Sequence, residues 1–143
     1  MDIALEEAKL AAERGEVPVG AVLVAADGTV LARDGNRTRA DSDPTAHAEI
    51  NVIRRACASL EQERLSGCDL YVTLEPCTMC ATAIAHARIA RVYYGASDPK
   101  SGGVECGARV FEQPQSHHKP EVYAGIAQEE AEGLLKTFFE RLR

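Results

Sequence analysis

The chain has no excess of positive charge: 16 lysines and arginines stand against 22 aspartates and glutamates, a formal net charge of -6. That balance excludes a protein that coats nucleic acid through a uniformly basic surface, so any RNA contact has to come from cations gathered locally. There is no uninterrupted apolar run of the roughly 18 residues needed to cross a bilayer, which argues against a spanning helix and against a membrane partner. The first residues, Met1-Asp2-Ile3-Ala4-Leu5-Glu6-Glu7, lack the basic start and apolar core of a secretion signal, so a cytoplasmic location is expected. Five cysteines are an odd number, and two of them form a Cys-x-x-Cys arrangement, which suits metal ligation better than a disulfide framework. Internal repeats and low-complexity stretches are also missing.

What remains is ordinary for a soluble globular protein, with 45% hydrophobic and 27% charged residues. A length of 143 residues supports one domain with a real core and leaves little room for two, so residues 1–143 are read as a single domain. Residues 2–14 carry a loose helical pattern of Ile3, Leu5, Ala8, Leu10, Ala11 and Ala12, with Gly15 placed to end it. The run 17–26 is nearly continuous Val, Ala and Leu, and Asp27-Gly28 is a hairpin signal before 29–34, so two antiparallel strands are expected. Residues 35–44 are polar and rich in turn formers. Thr45 is placed to cap a helix whose first turn contains His47 and Glu49, with Ile50, Ile53 and Cys57 on one apolar stripe. Residues 70–74 read as a third strand, with Pro76 suited to the first position of the next helix. That helix is small and apolar through 81–90, including Ala83, Ile84, Ala85 and Ala87, so it needs cover on several sides; the sheet supplies one, and a second subunit is expected to supply another. Strands at 91–95 and 121–124 and an amphipathic helix at 128–142 complete an α/β layer arrangement.

The chemistry is concentrated in two short segments, His47-Ala48-Glu49 and Pro76-Cys77-Thr78-Met79-Cys80. One histidine and two cysteines make three ligands for zinc, whereas a structural zinc site is normally closed by four; the open position of a three-ligand site belongs to water. Glu49, two residues beyond His47, is within reach of that water without being needed as a ligand, and is the natural proton carrier. His-x-Glu with Pro-Cys-x-x-Cys is the signature of zinc nucleobase deaminases. One Zn2+ per subunit, held by His47, Cys77 and Cys80, and hydrolytic deamination with Glu49 as the catalytic acid/base are therefore expected. A redox Cys-x-x-Cys pair would leave His47 and Glu49 unexplained, and a closed structural knuckle lacks a fourth ligand in register. Glu49 by itself could be a first-turn carboxylate favoured by the helix dipole, and Asn36 a simple turn residue after Gly35. His86, His117 and His118 suit surface or loop roles, and Cys57, Cys68 and Cys106 suit packing.

Beyond the motif, Glu16-Val17-Pro18-Val19-Gly20-Ala21-Val22, Gly35-Asn36-Arg37, Asp43-Pro44-Thr45-Ala46-His47-Ala48-Glu49 and the run from Tyr71 to Cys80 resemble the bacterial tRNA-specific adenosine deaminases. Ala87-Arg88-Ile89, Tyr94-Gly95-Ala96 and Phe138-Phe139 extend the likeness over nearly the whole chain. The resemblance implies a cytidine-deaminase-like three-layer fold, a central five-stranded mixed sheet flanked by helices, and a homodimer. It also implies conversion of adenosine to inosine at the wobble position of an arginine tRNA, with Asn36 helping to hold the purine. Relatives acting on guanine, cytosine or cytidine share the same zinc chemistry, so a deaminase of a free base or nucleoside is the alternative; an RNA-binding subunit with structural zinc is the non-enzymatic one. The tRNA anticodon loop would be met by Arg37, Arg39 and Lys119, the first two beside the metal-bearing helix and the third in the irregular stretch 96–120.

Overall fold

A computed structural model describes residues 1–142. The elements follow the chain as α1 (Asp2–Glu13), β1 (Gly20–Val24), β2 (Val30–Gly35), α2 (Ala48–Leu60), β3 (Asp69–Leu74), α3 (Thr78–Ala87), β4 (Arg91–Ala96), β5 (Glu121–Tyr123) and α4 (Gln128–Arg141), with a single 3-10 turn at Val110–Glu112. The sheet order is β2-β1-β3-β4-β5. β1 runs antiparallel to both β2 and β3, while β3, β4 and β5 are mutually parallel, so the expected five-stranded mixed sheet is present.

Helix α1 ends as the sequence suggests. Gly15 adopts φ 82° and donates to the Ala12 carbonyl at 3.0 Å, while Glu16 N–H reaches the Ala11 carbonyl at 2.9 Å, the paired bonds of a Schellman termination. The helix then lies so close to β1 that a Cβ on Gly20 would overlap the Ala4 carbonyl, which is why a side chain is absent there. Helices α1 and α4 touch each other and cover one face of the sheet, and α2 and α3 cover the other. The main core gathers Leu23, Val52, Leu65, Leu70, Val72, Ile84, Ile89 and Val92 between the sheet and the second pair, and Leu5, Ala96 and Ala131 form a smaller cluster under the first. Among the described residues no helix is long and apolar enough to cross a membrane.

Two expectations need correction. Thr45 does not cap α2: its N–H and hydroxyl both donate to Asp43 Oδ1, at 2.8 and 2.7 Å, and the cap position belongs to His47. Pro76 is not the first residue of α3, which begins at Thr78 with Cys77 as its cap. Helix α4 is amphipathic as expected: it packs on β4, β3 and α1, with Leu134, Leu135 and Phe138 half-buried while Phe139 and Leu142 stay 47% and 66% exposed.

Candidate active site

The polypeptide brings the amino termini of α2 and α3 together. His47 stands at the first cap and Cys77 at the second, both in extended backbone conformation, and Cys80 follows one turn into α3. Unpaired N–H groups and the positive dipole end at each terminus favour negative charge, which suits thiolates. His47 Nδ1 lies 3.7 Å from Cys77 Sγ and 3.5 Å from Cys80 Sγ. A tetrahedral centre with zinc-ligand bonds near 2.3 Å to sulfur and 2.0–2.1 Å to nitrogen separates those ligand atoms by about 3.6 Å. The spacing therefore fits a shared zinc ion. These three form the one His/Cys/Asp/Glu group of metal-binding geometry found among the described residues.

The electrostatics point the same way. A hydrogen bond from Cys80 pulls the Cys77 thiol down to about 4 in spite of burial, with His47 adding to the effect. Cys80 is pushed strongly up, because it holds the proton shared with that thiolate and is itself buried beside Glu49. His47 is raised by its bond to Cys77, against the effect of burial. A divalent cation bound here would displace the thiol protons, since cysteine binds metal as the thiolate. Glu49, in the first turn of α2, is only 3% exposed. Burial lifts its carboxyl to about 6, against the downward pull of its own N–H, His47 and Cys80, so it exchanges a proton near neutrality.

Asn36 serves as more than a turn residue. Its Oδ1 accepts from the Ala48 N–H at 2.9 Å, so a side chain 12 residues upstream caps α2. Because that N–H needs an acceptor, the orientation of the amide is determined, and its NH2 group is left facing away from the helix end. The backbone of Asn36 is held in turn by Val19 and Arg14, at 3.0 Å each.

The family model that matches residues 1–96 describes the cytidine and deoxycytidylate deaminase zinc-binding region. The chain belongs to this deaminase family. One zinc ion per subunit accords with its His/Cys/Cys set. Among family members, a protein of Agrobacterium fabrum named tRNA-specific adenosine deaminase is 63% identical over 143 residues, covering 100% of this chain and 93% of its own. A structure solved in a study of A-to-I editing by tRNA:A34 deaminases at the wobble position of transfer RNA superposes with TM-score 0.93 at 64% identity, covering 94% of this chain and 97% of the other. A guanine deaminase from Bacillus subtilis shares the fold at TM-score 0.65 and 30% identity, over 95% and 89% of the two chains.

Two buried carboxylates beside this deaminase site carry more of its architecture than their sequence context announces. Glu16 is 2% exposed and accepts from the Arg39 and Ala40 N–H groups at 3.2 and 2.8 Å and from the Thr38 hydroxyl at 3.3 Å, tying the loop that follows Asn36 to the end of α1. Glu75, equally buried, accepts from backbone N–H groups of Asp98, Val104, Glu105 and Cys106. The only signal in the sequence is a charged residue at the edge of an apolar run, Glu16 before Val17 and Glu75 between Leu74 and Pro76. Of the cations expected to meet RNA, Arg39 and Lys119 are exposed, whereas Arg37 is half-buried, 3.4 Å from Asp41 and 3.8 Å from Asp34. His118 Nε2–H donates to the Ile89 carbonyl at 2.7 Å and lies outside the metal-binding group, and His86 is exposed at the edge of α3.

Proposed function

We propose that the chain hydrolytically deaminates adenosine to inosine at the wobble position of a transfer RNA, an arginine tRNA, and that it works in the cytoplasm as a homodimer. The observation that carries this reading is a buried glutamate beside an open His/Cys/Cys set, in a chain 63% identical over its full length to a tRNA-specific adenosine deaminase. His47, Cys77 and Cys80 would hold the metal. Zinc bound there supplies Lewis acidity, which lowers the pKa of a water from 15.7 to roughly 7. Glu49 accepts one proton of the attacking water and passes it to a purine ring nitrogen, then takes the remaining proton from the hydroxyl newly added to the carbon and delivers it to the amino group as the bond from carbon to nitrogen breaks. Water is consumed and ammonia leaves. The NH2 group of Asn36, whose carbonyl is already committed to Ala48, donates to an acceptor on the base and orients it. A purely structural zinc subunit would have no use for a carboxylate buried at this cost beside the ligands.

Support for the dimer comes from α3, where the half-buried Ala83 and exposed Thr82 and His86 leave part of an apolar helix uncovered. It borders an open cleft of about 280 Å³ whose lining includes Ala85, Arg88 and Val110. The structural likeness to a guanine deaminase favours one competing reading, a free-purine deaminase. Incubating the zinc-loaded protein with an arginine anticodon stem-loop, free adenosine and free guanine separates the two. Inosine in the RNA with both free compounds unchanged is the expected result, and xanthine production from guanine with an unmodified stem-loop overturns the tRNA reading.

A further inference from the structure

Glu75 is the buried carboxylate closest in sequence to the two cysteines, and the chemistry of deamination makes no use of it. A buried charge of this kind is tolerated only when it is fully hydrogen-bonded. The bonds are all from one distant stretch: Oε1 accepts from Asp98 N–H at 3.0 Å, and Oε2 from Val104, Glu105 and Cys106 N–H at 3.2, 2.9 and 3.0 Å.

That stretch runs directly over the metal-binding turn. Gly102 forms an antiparallel bridge with Cys77, and Gly103 N–H donates to the Pro76 carbonyl at 2.9 Å. The approach is too close for side chains: a Cβ on Gly103 would lie 2.6 Å from Thr78 N, and one on Gly102 would lie 2.6 Å from the Glu75 carboxylate itself. On its far side the stretch is braced by Tyr94, whose buried phenol donates to Glu105 Oε1 at 2.6 Å, and by Val110 N–H, which reaches the Gly103 carbonyl at 2.8 Å. Residues 98–106 therefore make one wall of the site, and the Glu75 carboxylate gathers four of their N–H groups onto the end of β3.

We propose that Glu75 is a positioning residue for the RNA substrate: it sets the distance between the 98–106 wall and the Cys77–Cys80 turn, and thereby fixes where the flipped base and its neighbours are held. The inference rests on the tRNA-deaminating reading for its substrate, and on the hydrogen bonds alone for the latch.

Glu75→Gln replaces one acceptor oxygen with an NH2 group facing N–H donors, and Glu75→Asp keeps the charge at shorter reach. The expected result for Glu75→Gln is one zinc per chain, as in the wild type, with KM for an anticodon stem-loop raised about ten-fold or more, as loss of charge-assisted hydrogen bonds implies, and a much smaller change in kcat. Glu75→Asp should fall between the two. Amide exchange supplies a readout independent of activity: Val104, Glu105 and Cys106 should be protected in the wild type and accelerate in Glu75→Gln while Leu70 and Val72 of β3 do not. An unchanged KM, zinc loss in step with activity, acceleration spread equally through β3, or failure of both variants to fold each overturns the positioning role. Unprotected wild-type amides at 104–106 overturn the latch itself. A wild-type protein inactive on the stem-loop would instead sink the proposed substrate and leave the exchange result to decide the latch.

Discussion

Cys77 and Cys80 sit on one turn beside His47, Cys80 buried and Cys77 half-buried, and each offers a sulfur to the same metal-binding group. Cys77→Ala leaves only His47 and Cys80 of the three ligand atoms. Elemental analysis of Cys77→Ala should show less than a tenth of the wild-type zinc; a full equivalent would take Cys77 off the ligand list. Glu49→Gln should behave differently. The isosteric amide fills the same buried space, so zinc stays at one per chain while turnover falls by about 10²–10⁴, the usual contribution of a positioned proton carrier. Near-normal turnover of the zinc-loaded variant would remove that role. The grouping of His47, Cys77 and Cys80 was legible in the sequence because its members, with Glu49, are local, all within the spans 47–49 and 76–80. The cap on α2 was not, because Asn36 reaches it across a loop and competes with Thr45, the residue that looks right by position but bonds to Asp43 instead.

At the scale of elements, the loop carrying Asn36 is held by Glu16, and this bears on acid stability. Burial on its own would raise the Glu16 carboxyl, but the N–H groups of Ala40 and Arg39, the Thr38 hydroxyl and the nearby Arg14 charge outweigh it and hold the group below its ordinary 4.5. The unfolded chain therefore binds a proton first as pH falls, so the stabilisation is fully present above 4.5 and is lost as pH drops through the lower folded value. Glu16→Gln should lower the unfolding free energy at pH 7 and flatten its decline between pH 5 and 3, measured by urea denaturation at several pH values. Parallel curves for variant and wild type would show that the loop does not depend on this charge. The strands and helices themselves followed from periodicity and turn residues, with ends shifted by a few residues: the apolar run 17–26 contributes only Gly20–Val24 to the sheet, since Val17 and Pro18 belong to the approach from α1. Helix α4 is amphipathic as its periodicity indicates, packing on β4, β3 and α1 while Phe139 and Leu142 remain exposed.

For the whole molecule the questions are how an acidic chain holds RNA and what covers α3. Arg39 and Lys119 are exposed cations without ion-pair partners among the described residues, whereas Arg37 already serves Asp34 and Asp41. Arg39→Glu and Lys119→Glu should each weaken stem-loop binding and reduce the slope of log affinity against log salt by about one phosphate contact, roughly 0.7 for single-stranded RNA. Arg37→Glu should chiefly disturb the loop it braces. Unchanged slopes for Arg39→Glu and Lys119→Glu would leave both without a role in binding. Ala83→Arg places a long charged side chain on the uncovered side of α3 and should convert the proposed dimer to a folded monomer in sedimentation; a wild type that is monomeric at micromolar concentration contradicts the proposed assembly.

The sequence by itself determined the α/β class, the candidate ligand set and the class of chemistry, because each rests on short-range spacing: 3.6-residue and 2-residue periodicities, two residues between Cys77 and Cys80, one between His47 and Glu49. Only the tertiary structure decided how the site is walled. Glu16 and Glu75 look in the sequence like charges at strand margins, and their worth comes from N–H groups 23 to 31 residues away that chain folding alone brings to them. A buried carboxylate has to find its donors wherever the backbone leaves them unpaired, and no local pattern records where that is.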